Sequence, residues 1–167
     1  LPATPASAAD PDNTLILQLK DGPVTIEMRP DLAPKHVARI KELVKQHFYD
    51  GLLFHRVIDG FMAQTGDPTG TGTGKSDLPN IPAEFTATPF KRGTVGMARS
   101  QAPDSANSQF FICFGDASFL NNNYTVVGEV VSGMDNIDKI KKGSQAQNGQ
   151  VTNPDKMIRM RMAADAK

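Results

Sequence analysis

The amino-acid sequence predicts a mainly β, single-domain protein, either a closed barrel or a sandwich, and three observations support this. Short runs of strand-forming residues, bounded by Gly, Asp or Asn, recur along the chain, whereas only two stretches have a helical period. Strands and helices do not alternate, which argues against a parallel doubly wound sheet. The 167 residues are enough for one sizeable hydrophobic core and too few for two full domains.

The first predicted elements are a hairpin and a helix. Segments 14–19 and 24–29 are rich in strand formers, and Asp21-Gly22 between them is typical of a tight turn. Apolar residues then recur three and four apart over 34–48, which predicts an amphipathic helix. Its predicted buried stripe comprises Val37, Ile40, Val44 and Phe48.

The rest of the chain predicts six more strands and a second helix. Five short apolar runs predict strands at 53–57, 61–65, 94–99, 110–114 and 126–131. A helix is predicted over 133–142, with Ser132 as its N-cap. Alternation of Ile158, Met160 and Met162 with arginines predicts a final half-buried strand. The stretch 66–93 has little period, and a loop of this length in a compact domain is usually functional.

Composition and charge exclude several classes of protein. Lys+Arg and Asp+Glu are both 18, so the formal net charge is zero, which argues against attachment to nucleic acid or an anionic membrane by bulk charge. The single cysteine, Cys113, excludes an internal disulfide, and within its apolar strand it is predicted to be a buried, inert thiol. No apolar run is long enough to cross a bilayer. We expect a monomer that binds neither nucleic acid nor membrane.

Motifs for nucleotide, metal and hydrolase chemistry are incomplete. The stretch 70–76, Gly-Thr-Gly-Thr-Gly-Lys-Ser, is not a phosphate loop because Thr69 stands where that motif needs glycine. His36 and His47 have no Cys or carboxylate cluster beside them, so we expect no metal site and place both at the surface or a helix end. No serine lies in a Gly-x-Ser-x-Gly elbow, which argues against a serine hydrolase. No cofactor is predicted.

One segment, FHRVIDGFMAQTGD, places a cation among aromatic residues. It puts His55 and Arg56 on one predicted strand and Phe61, Met62 and Gln64 on the next. A cation beside an apolar aromatic surface is unfavourable in a core but suits the lining of a pocket. Composition alone leaves a second interpretation open, in which the phenylalanines only fill a barrel that contains no Trp.

Five sequence blocks, in order, closely resemble the cyclophilin family of peptidyl-prolyl cis-trans isomerases. They are FHRVIDGFMAQTGD, GTGTGKS, GTVGMARS, NSQFFICFG and FLNNNYTVVGEVVSGMDNIDKI. The resemblance runs from about Thr14 to Met162. It implies a closed, eight-stranded antiparallel barrel capped by two helices, as one domain over 13–163. Residues 1–12 would be a disordered tail and 164–167 a short C-terminal tail.

The resemblance also implies roles for individual residues. Arg56 resembles the catalytic arginine, which would stabilise the twisted imide of an X-Pro bond, and His55 and Gln64 would accompany it at the catalytic site. The residues expected to bind substrate are Phe61, Met62, Ala98, Arg99, Gln109, Phe111, Phe119, Leu120 and Tyr124.

Three of these residues depart from the best-known eukaryotic pattern. Phe119 stands where those members have Trp, Tyr124 where many have His, and Arg99 where many have Asn. Phenylalanine has no N–H donor. The resemblance therefore implies only weak binding of cyclosporin, a cyclic peptide that many members bind tightly.

The implied activity is isomerisation of X-Pro bonds in folding polypeptides, without a cofactor or a metal. An alternative from another class is a proline-peptide binding or chaperone module on the same fold, in which turnover is incidental. Fold alone does not separate the two.

The N-terminal segment predicts the compartment. Ala6-Ser7-Ala8 fits the small-x-small pattern that precedes a signal-peptide cleavage point, within a Pro- and Ala-rich segment that has no helix or strand period. We therefore expect a periplasmic or otherwise exported protein. A linker segment on a cytoplasmic protein is the alternative.

Overall fold

A computed structural model describes residues 11–165, which contain eight strands and two α-helices. The strands are β1 (Thr14–Leu19), β2 (Gly22–Met28), β3 (Arg56–Ile58), β4 (Met62–Thr65), β5 (Thr94–Met97), β6 (Phe110–Cys113), β7 (Val126–Ser132) and β8 (Arg159–Met162). The helices are α1 (Pro34–Lys45) and α2 (Met134–Asp138). Four 3-10 turns accompany them, at Pro11–Asn13, Ser118–Leu120, Gln145–Gln147 and Ala163–Asp165. The sequence-based expectations for residues 1–10 and 166–167 lie outside the described residues.

The eight strands form one curled antiparallel sheet with the order β3-β4-β6-β5-β7-β2-β1-β8. The prediction of a mainly β antiparallel fold with two helices is therefore confirmed, but closure of the barrel is not. The end strands β3 and β8 do not pair. The irregular segment after α2 covers the free edge of β3 instead, through hydrogen bonds from the N–H of Val57 to Gly149 O (2.8 Å) and of Gly143 to Val57 O (2.8 Å).

The helix α1 covers the sheet beside β8, as its amphipathic pattern predicts. Val37, Ile40 and Val44 are buried, whereas Phe48 lies beyond the end of the helix and is only half-buried. Cys113 is also buried as predicted, and burial raises the pKa of its thiol to about 12, so it is inert at neutral pH.

His36 lies at the N-terminal end of α1, one of the two positions predicted for it, but it is not at the surface. Its side chain is fully buried, and its Nδ1 lies 2.6 Å from Oε1 of Glu84. The same carboxylate accepts hydrogen bonds from the backbone N–H groups of Lys35 and His36, which are free N–H groups of the first helical turn. Because Ala33 at the N-cap offers no side-chain acceptor, a glutamate 48 residues away caps α1.

The structure also corrects two local predictions near the C-terminus. The helix α2 has five residues, and Ser132 does not cap it. Its N-cap is Gly133, which has a φ of +87° and passes so close to the chain that a Cβ there would lie 2.3 Å from Pro23 O. The strand β8 begins at Arg159, so Ile158 lies outside it and is exposed, whereas Met160 and Met162 are buried.

Candidate active site

The register of three strands brings the central side chains of the site together. Arg56 on β3 pairs with Gln64 on β4, and Gln64 pairs in turn with Phe111 on β6. Directly paired residues of neighbouring strands project to the same face of a sheet. The cation, the amide and the aromatic ring are therefore positioned by backbone pairing, before any side-chain interaction is counted.

The Arg56 guanidinium is oriented by two residues. Its Nη1 donates to Gln64 Oε1 (3.1 Å), its Nε to Asn148 O (3.0 Å) and its Nη2 to Asn148 Oδ1 (3.2 Å). Burial lowers the pKa of Arg56 from its ordinary value, but an arginine this basic keeps its proton at any physiological pH. No carboxylate of residues 11–165 forms an ion pair with it, so its charge remains available to a ligand.

A relay of amides connects Arg56 to the glycine-rich loop. Gln64 Nε2 donates to Gln109 Oε1 (2.8 Å), and Gln109 Nε2 donates to the carbonyl oxygens of Gly72 (3.1 Å) and Gly74 (3.0 Å). Each amide thus fixes the orientation of the next. Gln64 is left with its oxygen directed at the guanidinium.

The glycine-rich loop folds around the carboxylate of Asp67. Backbone N–H groups of Thr69, Thr71, Gly72 and Gly74 donate to its two oxygens. Burial alone would raise the pKa of Asp67, but these bonds and one from Thr69 Oγ1 outweigh it and lower the pKa to about 2. The loop's N–H groups therefore bind the protein's own carboxylate.

A cleft with a volume of about 120 Å³ opens beside the guanidinium. It is lined by Arg56, Phe61, Met62, Gln64, Ala98, Arg99, Phe111, Leu120 and Tyr124. The Phe111 ring forms its floor, stacked on Phe90 (5.8 Å between centroids) and met edge-on by Tyr124 (5.8 Å). The stack requires glycine at position 96, because a Cβ there would lie 2.6 Å from Phe90 and 2.7 Å from Phe111.

Comparison with known proteins identifies the family to which the chain belongs. The family model "Cyclophilin type peptidyl-prolyl cis-trans isomerase/CLD" matches residues 14–162. A probable peptidyl-prolyl cis-trans isomerase of Brucella suis is 64% identical, over 97% of this chain and 88% of its own. The chain belongs to the cyclophilin-type peptidyl-prolyl cis-trans isomerases.

Solved cyclophilins have the same fold. The crystal structure of cyclophilin AquaCyp293 from Hirschia baltica has a TM-score of 0.85 and 26% sequence identity, covering 100% of this chain and 83% of the other. A cyclophilin-type isomerase of Cryptosporidium parvum, solved in the presence of the dipeptide Ala-Pro, has a TM-score of 0.81 and 24% identity. The alignment with the Cryptosporidium protein covers 89% of this chain and 98% of the other.

Nine of the twelve predicted site residues line the cyclophilin cleft, and three do not. Gln109 lies behind Gln64 as part of the amide relay. Phe119 lies on the outer rim with 69% of its surface exposed, and its ring centroid is 5.2 Å from that of Phe61.

His55 lies beside Arg56 but outside the cleft. Its ring is buried against the glycine-rich loop and borders a separate polar cavity of about 480 Å³. Neither ring nitrogen has a hydrogen-bond partner among the described residues. Burial lowers the pKa of His55, so the imidazole is neutral at neutral pH. The predicted catalytic role for His55 stays a prediction.

Sequence reasoning missed Asn148, which contributes two of the three acceptors around Arg56. Asn148 ends the 3-10 turn Gln145–Gln147 with a φ of +57°, and its backbone carbonyl and side-chain amide both face the guanidinium. The Asn148-Gly149 dipeptide is a turn signal in the sequence. That signal locates a turn, but it does not say that the turn folds back against β3.

Arg99 is fixed at the rim by main-chain oxygens. Its Nε and Nη2 donate to Asn123 O (3.0 and 2.8 Å), and its Nη1 donates to Ser100 O (3.0 Å) and Gln101 O (3.3 Å). The guanidinium carbon lies 4.8 Å from the ring centroid of Tyr124, a cation–π distance. Arg99 thus joins two rim loops and covers the outer face of one cleft wall.

Two further features of residues 11–165 bear on other functions. No group of three or more His, Cys, Asp or Glu side chains is arranged to hold a metal ion in this part of the chain. None of its helices is long and apolar enough to span a membrane.

Proposed function

We propose that this cyclophilin accelerates rotation about X-Pro peptide bonds in polypeptides, with the proline ring in the cleft and Arg56 at the imide nitrogen. The observation that carries the proposal is a guanidinium that has no carboxylate partner among residues 11–165 and lies at the edge of a cleft with apolar walls. The Cryptosporidium relative, solved with Ala-Pro present, is consistent with a ligand of this chemistry.

The proposed mechanism depends on the resonance of the X-Pro bond. Its partial double-bond character sets a rotation barrier of roughly 18–20 kcal/mol. Rotation breaks this conjugation and localises the lone pair on the proline nitrogen. An N–H of Arg56 donates to that lone pair in the twisted state and has no such acceptor in either planar state. The interaction therefore stabilises the transition state selectively, as catalysis requires.

The apolar walls supply the positioning. Phe111, Met62 and Leu120 hold the ring, while the bonds from Arg56 to Gln64 and Asn148 keep the guanidinium from swinging away. An acceleration of about 10⁵-fold requires about 7 kcal/mol of differential stabilisation. One charge-assisted hydrogen bond in a partly dry cleft, together with positioning, is of that order.

Isomerisation of short X-Pro peptides, followed by NMR exchange between the cis and trans signals, tests the proposal. We expect exchange to accelerate in proportion to enzyme concentration. The alternative, a proline-peptide binding or chaperone module, predicts saturable binding of the same peptides with exchange rates close to those of free peptide.

We also propose that the protein acts outside the cytoplasm, in a bacterial periplasm, as a monomer whose partners are X-Pro polypeptides. The support for export is the Ala6-Ser7-Ala8 pattern within a Pro- and Ala-rich segment whose sequence has no helix or strand period. Fractionation of cells that express the full gene tests this. Processed protein in the periplasmic fraction is the expected result, and unprocessed protein in the cytosol would overturn it.

A further inference from the structure

The turn that holds Arg56 contains the one Asn-Gly dipeptide of the sequence, Asn148-Gly149. Asn148 is exposed and directly follows the 3-10 turn Gln145–Gln147. An asparagine followed by glycine loses its side-chain amide readily, because glycine has no side chain to hinder attack by its own backbone nitrogen. Asn148 therefore combines a labile side chain with a position beside the guanidinium.

The fold requires both residues of this dipeptide. Gly149 has a φ of +82°, and a Cβ there would lie 2.5 Å from Ile58 Cγ1 and 3.3 Å from Arg56 Cγ. Asn148 has a φ of +57°, in the left-handed region where asparagine is one of the few tolerated residues besides glycine. Its carbonyl oxygen and its Oδ1 also accept hydrogen bonds from Arg56 (3.0 and 3.2 Å). Structural demands thus fix a chemically labile pair at this place.

We propose that Asn148 is a deamidation site and that its conversion lowers the isomerase activity. In the reaction, the Gly149 nitrogen loses its proton and bonds to Cγ of Asn148, the bond from Cγ to Nδ2 breaks, and ammonia leaves. Water then opens the resulting five-membered imide at one of its two C–N bonds, which gives aspartate or isoaspartate. The proposal rests on the proposed function, which it deepens by naming a modification that regulates the same site.

The hydrogen bonds of the turn determine how fast this reaction proceeds. The leaving group, Nδ2 of Asn148, makes no hydrogen bond with residues 11–165. The N–H of Gly149 donates to Ser144 O (2.8 Å), so its nitrogen can react only while this bond is open. The bond belongs to a short surface turn outside the strands and α-helices, and segments of this kind open locally at low cost. We therefore expect slow conversion of the folded protein, at a rate set by the opening of the turn.

Both products place a carboxylate beside Arg56. In the aspartate form, the carboxylate replaces the amide whose oxygen accepts from Nη2. In the isoaspartate form, the main chain runs through Cγ, and the former backbone carbonyl, which accepts from Nε, becomes the carboxylate. Either anion competes with the imide nitrogen for the guanidinium. Because the site is exposed, we expect kcat to fall about threefold to fivefold, the range of exposed ion pairs, with KM little changed since the apolar walls are untouched.

Mass spectrometry of the protein after prolonged incubation in mildly alkaline buffer tests the modification. Trypsin releases the stretch 143–156 as one peptide, which contains both Asn148 and Asn153. Asn153 is the internal control, because it is exposed with a φ of +53° but is followed by Pro154, which has no N–H. We expect conversion at Asn148 and none at Asn153. An intact Asn148, over a time in which a synthetic 143–156 peptide converts, would overturn the inference.

Separation of the incubated protein tests the effect on activity. The formal net charge of the chain is zero, so one added negative charge allows anion exchange to separate the converted fraction. We expect this fraction to have the lower kcat for X-Pro peptides, measured by NMR exchange. Asn148→Asp should reproduce the loss in fresh protein, whereas Asn153→Asp, which adds the same charge at another exposed asparagine, should not. Asn148→Gly tolerates the positive φ and cannot deamidate, so its kcat should not decline with time.

The outcomes separate this inference from the proposed function. Full kcat in the converted fraction, or equal losses in Asn148→Asp and Asn153→Asp, would refute an action through Arg56 and leave the isomerase proposal standing. Absence of turnover in fresh protein would overturn the isomerase proposal itself. In that case the NMR signal of the Arg56 Nε–H still reports the contact with residue 148, and a shift of this signal on conversion would support the inference.

Discussion

The proline cleft has two sides that are built in different ways. On the sheet side, Arg56, Gln64 and Phe111 lie opposite one another on paired strands, and the backbone register sets their positions. On the rim side, Arg99 and Phe119 lie on loops. Arg99 is held by individual bonds to carbonyl oxygens, and Phe119 by one ring contact with Phe61.

This difference indicates how function is divided between the two sides. The sheet side cannot shift by one residue without turning its side chains to the opposite face, so it suits groups that must be placed accurately for catalysis. The rim side includes all three residues that depart from the best-known eukaryotic pattern, Arg99, Phe119 and Tyr124. We therefore expect substitutions on the sheet side to change turnover and those on the rim side to change selectivity.

The largest expected effect is that of Arg56→Ala on the sheet side. We expect kcat/KM for X-Pro peptides to fall by at least two orders of magnitude, because in the proposed mechanism Arg56 donates to the lone pair of the twisted imide. The free energy of unfolding should change little, since the guanidinium is half-exposed. Kinetics and chemical denaturation of the same preparation check both statements. A folded Arg56→Ala protein with near wild-type turnover would refute the mechanism.

Phe119→Trp tests the rim side. Phe119 is largely exposed and has no N–H donor, so a cyclosporin carbonyl buried against it loses a partner, at a cost of about 1–3 kcal/mol. We expect Phe119→Trp to bind cyclosporin one to two orders of magnitude more tightly, with kcat/KM for peptides little changed. Inhibition titrations of both proteins in one peptide assay provide the comparison. Equal inhibition constants would show that Phe119 does not set the affinity.

Gln64→Leu tests how the amide relay orients Arg56 on the sheet side. The substitution removes the acceptor for Arg56 Nη1 and the donor to Gln109. We expect kcat to fall about tenfold, because a hydrogen bond to a charged group contributes about 1.5–3 kcal/mol and water replaces part of it. Gln109→Leu is the control, since Gln109 does not touch Arg56, and its effect should be smaller. Equal losses in the two variants would mean that the whole relay, rather than the bond to Arg56, orients the guanidinium.

The sequence predicted the sheet side better than the rim, for a physical reason. Strand residues follow a period of two, so FHRVIDGFMAQ already placed Arg56 near Gln64 on neighbouring strands. The position of Asn148 depends on a contact across 92 residues, which no local pattern encodes. The same holds for the open edge of the sheet. The segment that covers β3 is irregular, so no local pattern indicates that the barrel does not close through β8.

His36 lies at a helix end, as one of the two predicted positions has it, but its burial was not predicted, for the same reason. Its helical position next to Val37 was compatible with either face, and its partner Glu84 lies in the long loop 66–93 that has no period. Glu84 also donates its backbone N–H to Thr125 Oγ1 (3.0 Å), next to Tyr124 of the cleft. The His36–Glu84 pair therefore fastens a rim loop to α1, and its titration should loosen the rim before the sheet.

The smallest expected effect follows from this pair. Burial lowers the pKa of His36 below its ordinary value of 6.5, although Glu84 opposes that shift. As the pH falls through 6.5, the unfolded chain takes up a proton that the folded chain resists, so the free energy of unfolding should decrease between pH 7.5 and 5.5. The pKa of His55 is also lowered by burial, so His55 adds a decrease of the same sign. His36→Asn keeps an N–H donor for Glu84 but cannot titrate, and its pH dependence should therefore be weaker than that of the wild type in urea denaturation. His47→Asn, which removes an exposed imidazole at a φ of +61°, is the control. An unchanged slope in His36→Asn would contradict the assignment.

Hydrogen exchange separates the two regions, because the protection of the Glu84 amide in the rim should fall at pH 5.5 more than the protection of the Phe111 amide in the sheet.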